Sequence, residues 1–93
     1  MKEKAMKIVV DYISQHLDNI GVTIPFEVRI VWMCKALQNW KFLISSTLED
    51  GMYYELTYNG NAHCWYVDVY KKHENKVIPD GEIEEGKVIK IDD

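Results

Sequence analysis

The sequence predicts an α+β domain in which one N-terminal helix packs on a four-stranded antiparallel meander. Three observations predict it. An amphipathic stretch opens the chain. An Asn-Gly stands between two aromatic, β-branched runs, and two further turn signals punctuate the residues before it.

The first element is a helix from Lys2 to about Asp18. Met6, Val9, Ile13, Leu17 and Ile20 recur at three- and four-residue spacing, with Ala5, Tyr12 and His16 beside them. Lys4, Lys7, Asp11 and Asp18 fall largely on the other side. Gly21 suits the left-handed position just past a helix end. A connector containing Pro25 follows.

Val28-Arg29-Ile30-Val31-Trp32-Met33-Cys34 is apolar in either period, so a short buried helix competes with a strand. The turns favour the strand. A three-residue turn at Gln38-Asn39-Trp40 sets Ala36 opposite Phe42, Cys34 opposite Ile44 and Trp32 opposite Ser46. A second, Glu49-Asp50-Gly51 with Gly51 left-handed, sets Ser46 opposite Tyr54 and Ile44 opposite Leu56. A two-residue Asn59-Gly60 loop then sets Leu56 opposite His63, Tyr54 opposite Trp65 and Met52 opposite Val67. The predicted inward layers are Ala36/Phe42/Tyr58, Cys34/Ile44/Leu56/His63, Trp32/Ser46/Tyr54/Trp65 and Ile30/Leu48/Met52/Val67. A slip of one residue at any turn would turn a strand over, so the parity of each turn decides which face every side chain occupies. Trp32, Trp65, Phe42 and Ile44 form the expected platform for the helix.

Residues 1–78 read as the single domain and residues 79–93 as an acidic tail. Val88-Ile89-Lys90-Ile91 fits either a short edge strand or a frayed end. Residues 1–79 carry nine acidic and nine basic side chains, so the net charge of -4 comes from the last fourteen. Phosphate binding asks for a basic surface, which weighs against sequence-independent nucleic-acid binding. Two cysteines make no disulfide framework, no signal peptide precedes the helix, and no long apolar run suits a membrane span. These features suit a cytoplasmic protein with reduced thiols.

No motif names a reaction, and the residues point to no cofactor or metal. Cys34 and His63 share a predicted layer, which makes a thiol nucleophile with its base the enzyme alternative. A cysteine in an apolar layer is more often a small core residue. His63 and Cys64 point to opposite faces of a strand, and no CxxC or HxxxH spacing supports zinc. The outer sheet face is the stronger candidate. It is expected to display Val31, Met33, Leu43, Tyr53, Tyr66 and Tyr70, together with Leu37 and Cys64, among Arg29, Lys35, Lys41, Glu55, Thr57 and Asp68. A face meant only for water would be more polar, and Tyr, Met and Arg favour interfaces. Binding of another protein, or homodimerisation, is the function expected of it. Tyrosines beside lysines also fit a platform for single-stranded nucleic acid, which the charge disfavours.

Asp50-Gly51-Met52-Tyr53-Tyr54-Glu55-Leu56-Thr57-Tyr58-Asn59-Gly60 carries a resemblance, together with the Val31–Asn39 and Val67–Lys72 segments. These stretches resemble a family of small uncharacterised proteins of phages and prophages of Gram-positive bacteria. The resemblance implies a domain of unknown function made inside an infected or lysogenic bacterium, with no catalytic residues to carry over. The helix-then-strands order also resembles the cystatin-like architecture, an analogy of fold that conveys no activity. Gln38-Asn39-Trp40 lacks the glycine-containing inhibitory loop of true cystatins.

Overall fold

A computed structural model of the chain describes residues 1–83. The edge strand considered at residues 88–91, and most of the acidic tail, lie outside them. The order is α1 (Lys2–Asn19), β1 (Val28–Ala36), β2 (Asn39–Ser46), β3 (Met52–Asn59), β4 (Cys64–Lys71) and a 3-10 turn at Asp80–Glu82. The strands form one antiparallel sheet in the order β1-β2-β3-β4, with α1 packed on one face. This is the predicted α+β meander.

Helix α1 buries Ala5, Val9 and Ile13, successive residues of one stripe, and packs Met6 and Leu17 beside them. It ends as expected. Gly21 has φ +70°, its N–H donates to the Asp18 carbonyl, and the Val22 N–H donates to the Leu17 carbonyl. That pair of bonds caps the last turn. Ile20 departs from the expected stripe and is exposed.

Phe42, Ile44, Tyr54 and Leu56 complete the buried core from the central strands, where alternate residues meet the helix. Trp40 stacks on Phe42 with ring centroids 5.9 Å apart, and Phe42 lies 5.9 Å from Trp65.

All three turns differ from the predicted ones. The β3–β4 connection is four residues, Gly60 to His63, because the Asn59 side chain accepts the N–H groups of Asn61 (3.0 Å) and Ala62 (3.1 Å). That wraps the chain once more before β4 begins. Gly60 serves close approach: a Cβ there would collide with the Gln38 carbonyl oxygen. Leu56 therefore faces Val67 rather than His63. His63 leaves the predicted layer for the loop, at φ 51°.

The β2–β3 connection runs over five residues, Thr47 to Gly51. Thr47 bonds Glu27 twice, through its N–H (2.9 Å) and its Oγ1 (3.0 Å), and Gly51 takes the left-handed position at φ +70°. Leu56 faces Phe42 rather than Ile44. Both slips are even, so every side chain of β2, β3 and β4 keeps its predicted face.

The β1–β2 slip is odd. A two-residue turn at Leu37-Gln38, with Leu37 at φ 57°, replaces the predicted Gln38-Asn39-Trp40 turn. Trp32 opposes Leu43 instead of Ser46, and Cys34 opposes Lys41 instead of Ile44. Trp32, Cys34 and Ala36 thus lie on the face away from the helix, and Met33 and Lys35 on the face toward it. This register sets Lys35 opposite Trp40 on the helix side. Trp40, Tyr58 and Trp65 sit abreast on three strands, and the Lys35 ammonium lies 5.4 Å from the Trp40 ring centroid. A β-bulge at Val31 then absorbs one residue, and Ile30 returns to the helix face opposite Ile44.

Candidate protein-binding face of the sheet

The face opposite α1 is assembled from alternate residues of the same strands. Its rows read Cys34–Lys41–Thr57–Tyr66, then Trp32–Leu43–Glu55–Asp68, then Arg29–Ser45–Tyr53–Tyr70. No second layer of helix or strand lies on it among the described residues. Tyr66 is 53% exposed, Tyr70 52% and Trp32 44%. Leu43 and Tyr53 are half-buried between them.

At its centre the Lys41 ammonium meets the Glu55 carboxylate at 2.9 Å. The hydrogen bond and charge of Glu55 hold Lys41 above the usual lysine range. Arg29 Nε donates to Ser45 Oγ at 3.3 Å, which covers the polar edge beside Tyr53. Next to Tyr66 lies Cys64, whose hydrogen bond and charge push the Tyr66 phenol above its ordinary range. Asp68 stands between Tyr66 and Tyr70 along β4. The result is a polar middle flanked by aromatic side chains on both sides, the mixed composition found in protein interfaces.

Of the residues the sequence assigns to this face, Leu43, Tyr53, Tyr66 and Tyr70 are on it. Val31 is in the bulge, exposed and beside Trp32 opposite Leu43. Met33 is a correction: the odd slip puts it opposite Phe42, on the helix side, where it borders a shallow groove with Met6 and Ile30. Lys35 moves with it. Trp32 is the large residue that alternation assigned to the core and the structure exposes. Its signal was the bulge, which leaves no mark in apolar periodicity.

Cys34 is likewise corrected, from a core layer to an exposed position. His63 reaches the other side of the sheet, where its Nδ1 lies 3.5 Å from Tyr58 Oη. The two are not brought together. Among the described residues no three His, Cys, Asp or Glu side chains converge as metal ligands, and no helix is long and apolar enough to cross a membrane.

Residues 2–80 match the model of DUF6275, a family of unknown function, and the chain belongs to that family. No curated protein and no solved structure shows significant similarity to it.

Proposed function

We propose that the chain acts by binding another protein, rather than by catalysis, through the sheet face opposite α1. The observation that carries this reading is the exposure of Trp32, Tyr66 and Tyr70 around the Lys41–Glu55 pair, with no described layer over them. Aromatic side chains of this size desolvate well and lose little rotamer entropy, so they dominate contact energies. The ion pair supplies register and selectivity. Glu55 and Asp68 stand among the tyrosines, which disfavours a phosphate backbone and favours a protein as the occupant.

The partner is a host or phage protein, or a second copy of the chain. The resemblance of residues 50–60 to small phage and prophage proteins supports an accessory role inside the infected cell, where such a protein would alter a host enzyme or blunt a defence. Replacing Tyr53 and Tyr66 with Glu tests the reading. Association seen by light scattering or pull-down is lost while far-ultraviolet circular dichroism is unchanged. Undiminished association would reject this face as the contact surface.

A further inference from the structure

On the helix side, away from the proposed contact face, a cleft of about 200 Å³ lies between the second half of α1 and the β2–β3 connector. A cavity of roughly 150 Å³ already admits benzene, so a ring-sized body fits. Its floor is apolar. Ile13 and Tyr54 are buried there, with Leu17, Leu48 and Met52 packed around them. Tyr12 and His16, one turn apart on α1, close one side.

Tyr54 is 3% exposed, and its ring meets Tyr12 edge-on at 5.8 Å. Its oxygen makes no hydrogen bond to another described residue, yet no fully enclosed polar side-chain atom of the described residues is left unpaired. The Tyr54 hydroxyl therefore opens onto the cleft. Burial, with smaller effects of Asp50 and Tyr12, pushes its pKa up to about 12, so it is a hydrogen-bond donor at neutral pH.

Opposite charges stand on the rim. Asp50 comes from the connector, its Oδ1 fixed by the Met52 N–H at 3.0 Å. Lys71 comes from the end of β4, opposite Met52. Neither forms an ion pair with the other or with any other described residue. A ligand with one charge would satisfy one of them and be repelled by the other; a ligand with both signs suits the pair.

We propose that this cleft binds a small zwitterion with an apolar body, the class of aromatic and large aliphatic α-amino acids. The body lies against Ile13, Leu17, Leu48 and Met52. The ammonium faces Asp50, and the carboxylate faces Lys71 and accepts from Tyr54 Oη.

The test is an amide chemical-shift titration of the isotope-labelled full chain with L-phenylalanine, phenethylamine and hydrocinnamate. L-phenylalanine binds most tightly and shifts the amides around residues 13, 50, 54 and 71. Tyr54→Phe, which keeps the ring and the packing, weakens it roughly threefold. Lys71→Met removes its advantage over phenethylamine. Asp50→Asn, which still accepts from the Met52 N–H, removes its advantage over hydrocinnamate. Equal affinity for the three compounds overturns the proposal. So does an advantage that survives both charge substitutions, or the absence of saturable shifts at millimolar ligand.

Discussion

The two faces of the sheet are built from neighbouring residues of the same strands and are nearly equal in aromatic content, yet only one of them is covered by the helix. Toward the helix, Phe42, Ile44 and Leu56 are completely buried and Tyr54 almost so. Away from it, Trp32, Leu43, Tyr53, Tyr66 and Tyr70 surround an ion pair without a covering layer among the described residues. Side-chain chemistry alone does not separate a core from an uncovered face. What separates them is which face α1 occupies. Stability is concentrated on one face, so residues of the other can be changed without loss of the fold.

The largest effect that can break this contrast is a pair of truncations on adjacent residues of β2. Phe42→Ala costs about 3–5 kcal/mol in urea unfolding, because it empties the centre of a small core. Leu43→Ala, on the half-buried opposite side, costs less than about 1.5 kcal/mol. Equal costs would mean that both faces are structural.

Alkaline unfolding sharpens the same contrast through Tyr54. Its folded pKa of about 12 lies above the ordinary value of 10.0, so the neutral phenol is the form the fold favours. The stability this contributes is fully present below pH 10.0 and is lost as pH rises toward about 12. Tyr54→Phe removes that part of the decline, which unfolding curves of the two proteins at stepped pH would reveal. Parallel curves would contradict the placement of Tyr54.

Smaller effects probe how β1 divides its residues between the faces. Leu37 holds φ 57° and is 87% exposed, so its conformation costs energy and its side chain recovers none. Leu37→Asn stabilises the chain by roughly 1 kcal/mol. Deleting Val31 has the least effect. It removes the bulge yet preserves the Ile30–Ile44 and Trp32–Leu43 pairs, so the unfolding midpoint stays near that of the parent. A large drop would show that the bulge is structurally required.

These same residues explain how much was legible in the sequence. The helix, its Gly21 cap, the four strands and their order were readable from periodicity and turn residues. The faces of β2, β3 and β4 were readable too, since longer loops slipped their pairing by even steps. The loop lengths were not, because they depend on side-chain bonds such as those of Asn59 and Thr47, which carry no spacing rule. The outer half of β1 was misread for a different reason. Val31-Trp32-Met33-Cys34 is apolar at every position, so alternation has nothing to fix on, and the two-residue turn at Leu37-Gln38 together with the bulge at Val31 sets which face each side chain takes. Of the candidate surface, that error displaced Met33 and concealed Trp32.

Site-specific photocrosslinking in the cells that produce the chain bears most directly on the central claim. A benzophenone side chain would be placed at Tyr66 or Tyr70 on the open face, and at Lys7 or Asp11, an exposed pair on α1. Discrete covalent adducts with one protein, or with a second copy, form from positions 66 and 70 and not from 7 and 11. Adducts that arise equally from both sets, or from the helix positions alone, would contradict the assignment of the sheet face as the binding surface.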